Sequence, residues 1–220
     1  MEQSELRQHI LVSYWTLRWG MGLIAVSFPV VLWLGGLLIT NTPLQISMSD
    51  YYHTPMRNAF VGFLFAVGPF LYLYHGFSRK ENIALNMAGL FAIGIAIFPC
   101  DPIQENACDV YTFASLHGVC AIAFFLSIAY ACIFCAGDTL YLIKDEKRRQ
   151  HYNVLYKTLG AAMIVLPVVS AISSYVFQSE LKEGEMIYEF VLEMLAIWVF
   201  GAFWLAKSFE IRETHADEQF

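Results

Sequence analysis

Residues 19–40 read WGMGLIAVSFPVVLWLGGLLIT, with no Asp, Glu, Lys, Arg or His among them. A bilayer core is about 30 Å thick, and a helix crosses it with roughly 20 apolar residues. A helix on the surface of a soluble protein keeps a polar face toward water. This run has none, so it reads as a membrane-crossing helix.

Five further stretches follow the same pattern, at about 56–77, 83–99, 113–137, 154–177 and 186–207. The composition of the 220 residues agrees: 58% are hydrophobic and 15% charged, and the mean hydropathy is +0.53. An ordinary soluble domain is about 45–50% apolar and about 25% charged. The 18 Phe, 12 Tyr and 5 Trp suit the level of the lipid headgroups, where aromatic rings collect. The expected fold is therefore all-α, a polytopic membrane protein with six transmembrane helices in one bundle. The residues before it, 1–18, space Leu6, Ile10, Leu11, Tyr14, Trp15 and Leu17 as one side of a helix. That pattern predicts an interfacial amphipathic helix. Residues 19–208 form the transmembrane domain and 209–220 a tail. No cleavable signal peptide is evident.

Basic residues set the expected orientation. Arg7, Arg18, Arg79, Lys80, Lys144, Lys147, Arg148, Arg149, Lys157, Lys207 and Arg212 fall on one side of a six-span arrangement. Only Arg57 and Lys182 fall on the other. Both termini are thus expected to be cytoplasmic. Despite the net charge of −6, the more telling fact for nucleic acid is the lack of a basic stripe that could neutralise phosphates. No nucleic-acid partner is expected; membrane lipids are, and a homo-oligomer is compatible with the pattern. Cys100 and Cys108 share one outward loop, where an oxidising compartment would let them pair. Cys120, Cys132 and Cys135 read as small packing residues inside the fourth span.

Ionisable groups inside spans are costly, and each is a functional hypothesis. Several converge at the outward ends of the spans. His117 lies about one turn into the fourth, and Glu189 and Glu193 share one face of the sixth. Arg57 and Asn58 open the second, with Ser49, Asp50 and His53 just before it. Asp101 follows the third, and Ser170, Ser173 and Ser174 lie in the outer half of the fifth. Imidazoles and carboxylates so placed can hold zinc or another divalent cation and lower the pKa of a bound water to about 7. In that reading His53, Asp101 and His117 are ligands, and Asp50 and Glu193 handle protons. The plainer reading makes Arg57 with Glu189 or Glu193 an ion pair joining spans, His117 a packing histidine and the Gly35–Gly36 pair a point of close helix approach. The residues alone leave both open.

The runs ISMSDYYHTPMRNAFVGFLFAVGPFLYLYHG (46–76), NMAGLFAIGIAIFP (86–99), LHGVCAIAFF (116–125) and EMLAIWVFGAFWLAKS (193–208) resemble a group of uncharacterised bacterial six-span membrane proteins. Those carry a similar Ser-x-Ser-x-Tyr-Tyr-x-Thr stretch and a Glu in the last span. More remotely, the order of features is similar to the DRAM/Sfk family, with Ser49, Asp50, His117 and Glu193 at the matching positions. That resemblance implies membrane-lipid biology. A third, to the alkaline ceramidase and progestin-receptor superfamily, rests on Ser49-x-x-x-His53 and Asp101. It implies a metal-dependent lipid hydrolase, but this chain has six spans rather than seven. It also has Glu189-x-x-x-Glu193 where that superfamily has two histidines. The sequence therefore points to a lipid-associated membrane protein, either such a hydrolase or a non-enzymatic module such as a scaffold, a receptor-like protein or an oligomeric channel component.

Overall fold

The computed structural model describes residues 3–99, 102–104, 107–108, 116–177 and 187–214, with side chains for 12–99, 116–173 and 187–214. Among the described residues the regular structure is helical apart from a two-stranded antiparallel ladder, β1 (Pro102–Gln104) with β2 (Ala107–Cys108). Helix α1 (Gln3–Val30) continues without a break as a wider π-helical segment, Val31–Thr40. It stops at Asn41, whose φ of 52° is the left-handed conformation that ends many helices. A short 3-10 turn, Ser49–His53, precedes α2 (Arg57–Leu73). Then come α3 (Arg79–Ile97), α4 (Leu116–Tyr130), α5 (Glu146–Phe177) and α6 (Ile187–Thr214). Residues 131–142 extend α4 as a π-helical and then a 3-10 segment.

Among the described residues, five helices are long and apolar enough to cross a membrane: Val12–Thr40, Arg79–Ile97, Leu116–Leu142, Glu146–Ser173 and Ile187–Thr214. Helix α2 has 17 residues and falls short of that length. It ends earlier than its apolar run because residues 74–78 are committed to starting α3. Ser78 caps α3 by accepting from the Glu81 amide, and the Glu81 carboxylate reaches back to the Phe77 amide at 2.8 Å. This is a capping-box arrangement, and it ties off the turn.

Each helix packs on its neighbour in sequence, and α6 closes onto α1. Small residues let the backbones approach closely, as is usual where lipid supplies no hydrophobic drive between helices. At the α2–α3 crossing a Cβ on Gly89 would sit 2.6 Å from the Gly68 carbonyl oxygen. At the α1–α6 crossing Gly201 lies against Gly22 and Ala25, and the Trp198 indole donates to the Val26 carbonyl at 3.2 Å. Phe28, Phe60, Phe124, Phe200, Phe203 and Trp204 fill the interior. The outward faces are equally apolar: Leu23, Leu38, Ile39, Leu73, Phe134, Val154 and Ile172 are all exposed. A surface this continuous and greasy is suited to lipid, not water. The chain is accordingly a multi-pass membrane protein.

The expected Gly35–Gly36 helix contact takes another form. Met56 packs on Gly35 and the Tyr51 ring on Gly36, so the 41–56 connection, rather than a second helix, folds back against the end of α1.

Candidate functional site

The 41–56 connection is pinned by side chains from three helices, and this creates the polar site. Its own residues make the first ties: Asp50 accepts from the Ser47 amide at 2.9 Å, and Ser47 Oγ accepts from the Ser49 amide at 2.9 Å. From α6, the Glu193 carboxylate accepts from the Met48 amide at 2.6 Å. From α4, His117 Nε2 lies 3.0 Å from Ser49 Oγ, while its Nδ1 lies 2.8 Å from the Phe98 carbonyl oxygen at the end of α3. A carbonyl can only accept, so Nδ1 carries a proton, and in the neutral imidazole Nε2 accepts from the Ser49 hydroxyl. His117 is fully buried, and Ser49 and Asp50 nearly so.

Aromatic packing completes the site. Tyr51 stacks at a tilt against Phe190, next to the buried Glu189. Burial pushes the Tyr51 phenol above its ordinary pKa, which keeps it neutral.

The structure thus brings together Ser49, Asp50, His117 and Glu193, with Glu189 close by on α6. Others fall elsewhere. Arg57 is exposed; its guanidinium donates to the Tyr52 hydroxyl at 2.7 Å and lies 4.4 Å from that ring's centre. This, rather than a glutamate, is its polar contact among the described residues. Asn58 and His53 are exposed, and the His53 ring meets Tyr52 edge-on. Asp101 and Cys100 lie outside the described residues, as do the side chains of Cys108 and Ser174. Ser170 is buried, and Ser173 Oγ donates to the Val169 and Ser170 carbonyls, as packing serines in helices do. Among the described residues no three His, Cys, Asp or Glu side chains converge as a metal requires. The two ring nitrogens of His117 are engaged by a serine hydroxyl and a backbone carbonyl.

A second buried polar cluster lies at the opposite end of the molecule. Lys207 on α6 gives its three protons to the Glu210 carboxylate at 2.7 Å, Thr139 Oγ1 at 2.7 Å and the Ala136 carbonyl at 2.9 Å. Glu210 also accepts from Thr139 and from Tyr156. The ammonium sits 5.3 Å from the Tyr156 ring centre and 5.6 Å from that of Phe77. By sequence Lys207 and Arg18 read as flanking charges, yet both are buried. A base at the end of an apolar run has the same sequence appearance whether it points to water or inward. The three-residue spacing of Lys207 and Glu210 was the one available sign of a pair.

Comparison with protein-family models, with curated proteins and with solved structures yields no match. The site has to be read from its own geometry.

Proposed function

We propose that the chain crosses a bacterial inner membrane six times with both termini cytoplasmic, and that the Ser49–His117 site acts on the headgroup region of a membrane lipid. Nine flanking basic residues still favour this orientation after Arg18 and Lys207 are set aside as buried. Helix α2, about 26 Å long at 1.5 Å per residue, matches a slightly thinned bilayer at small cost. The resemblance to the bacterial six-span group supports the choice of membrane, and that to the DRAM/Sfk family supports the link to lipid.

One observation carries the chemistry: a serine hydroxyl within hydrogen-bond reach of an imidazole nitrogen, 3.0 Å away, whose far nitrogen is anchored on a backbone carbonyl. That is the arrangement of an activated nucleophile. Ser49 Oγ would attack an ester carbonyl while His117 Nε2 takes its proton. The ester C–O bond would then break as His117 passes that proton to the departing alcohol, and water would hydrolyse the acyl-serine, with Asp50 and Glu193 holding the loop in register. No metal enters this reading, in contrast to the His53, Asp101 and His117 set.

A fluorophosphonate probe tests it on purified protein. Labelling of Ser49 that is lost in Ser49→Ala and in His117→Gln supports a serine hydrolase. A folded protein that stays unlabelled while carrying stoichiometric zinc, lost in His117→Ala, would return the site to the metal-dependent class.

The second reading is a non-enzymatic module. It is favoured by the amides of Ser47, Met48 and Ser49, all already taken by Asp50, Glu193 and Ser47. Free amides of this kind would otherwise stabilise an oxyanion. Neither labelling nor metal in a folded protein supports the module.

A further inference from the structure

At the end of the molecule away from Ser49, a groove of about 540 Å³ opens between the start of α5 and the end of α6. Its mouth carries Lys147, Arg148 and His151, and Leu155, Ala206 and Phe209 form the wall. The order along α5 is informative: bases at 147, 148 and 151 give way to Leu155 about one turn deeper. Glu213 is the one acid on the lining, and it is paired with Arg148. Glu146 pairs with Arg149. Among the described residues the Lys147 ammonium has no carboxylate partner, so the groove mouth has a net positive charge.

The height of the groove can be placed independently. Phe209 packs edge-on against Trp19 at 5.5 Å, and Trp19 against Trp15 at 5.6 Å. Trp15 and Phe209 are exposed. Such a band of aromatic rings marks the boundary between acyl chains and headgroups. Helix α5 has 32 residues and is about 48 Å long, longer than the roughly 30 Å core. Its first turns, EKRRQH at 146–151, are polar and so stand at headgroup level.

We propose that this groove binds the phosphate of an anionic phospholipid, with Lys147 and His151 on the phosphate and the acyl chains running down over Leu155 and Phe209. A cationic mouth above an apolar wall fits a lipid better than a free phosphate, which has no use for the wall. Basic pockets between membrane helices take anionic headgroups in this way. The site is about 20 Å along α6 from Glu193, taking Ala206 as its near end, so it does not depend on the Ser49 chemistry.

The test is native mass spectrometry of the full chain in detergent, titrated with phosphatidylglycerol or phosphatidylcholine. Phosphatidylglycerol adducts should dominate, fall about fivefold in Lys147→Ala and fall further in Lys147→Glu. They should be unchanged in Lys157→Glu, an exposed base on α5 outside the groove. Millimolar inorganic phosphate should not displace the lipid. Equal adducts with both lipids, displacement by phosphate, or an equal loss in Lys157→Glu would each overturn the proposal. Melting temperatures of the variants establish that a loss of adducts is not a loss of fold.

Discussion

Lys207 and Glu210, one turn apart on α6, form a 2.7 Å ion pair whose side chains are 1% and 0% exposed. Every proton of the ammonium is used, and the carboxylate accepts from three side chains. Buried pairs of this kind cost more to break than they contribute when intact. Lys207→Met alone should lower stability by about 3–5 kcal/mol, because it strands a buried carboxylate. The double change Lys207→Met with Glu210→Met should recover most of that loss. Thermal unfolding in detergent measures both, and strictly additive losses would show that the pair is not coupled.

Glu193 and Met48 test what holds the outer connection. Glu193→Gln keeps an acceptor for the Met48 amide and should leave stability within about 0.5 kcal/mol. Glu193→Ala leaves that amide unmatched and should cost about 1–3 kcal/mol. Similar losses in both variants would mean that the charge, not the hydrogen bond, matters.

Arg57 gives a sharper contrast between the structure and the sequence. An ion pair joining spans would make its removal costly. Its observed partner is Tyr52, at an exposed position. Arg57→Ala should therefore cost no more than about 1 kcal/mol. A loss of several kcal/mol in the same unfolding assay would restore the ion-pair view.

Gly89 offers a test of packing. Its Cβ would meet the Gly68 carbonyl oxygen at 2.6 Å, whereas a Cβ on Gly62, also in α2, meets nothing within 4 Å. Gly89→Ala should destabilise by about 1–3 kcal/mol. Gly62→Ala should be neutral or stabilise by up to about 1 kcal/mol through helix propensity. The two melting curves should move in opposite directions or not together at all.

Hydropathy and length were enough to find the apolar helices, because a crossing segment has few ways to satisfy its backbone other than as a helix. The polar residues of the outer site were also visible, since Glu193 and His117 interrupt apolar runs. Their partners were not. Ser49 and His117 are 68 residues apart in sequence, and nothing local says that His117 faces Ser49 rather than a metal. The Thr139–Tyr156–Glu210 cluster went unread for a related reason. Thr139 and Tyr156 look like ordinary helix residues until tertiary packing sets them beside Lys207. Helix α2 came out shorter than its apolar run because Ser78 and Glu81 start α3 with a cap, which hydropathy ignores.

The closure of α6 onto α1 has a consequence for synthesis. Among the described residues, the surface of α1 at Gly22 and Ala25 packs against Gly201 and Leu205 of α6. At about 5–20 residues per second, the ribosome delivers that partner on the order of ten seconds or more after α1 has been made. Throughout that interval a face shaped for a helix has only lipid against it. A chain cut short before α6 leaves this face permanently uncovered, a mark by which quality-control proteases can tell unfinished molecules from finished ones.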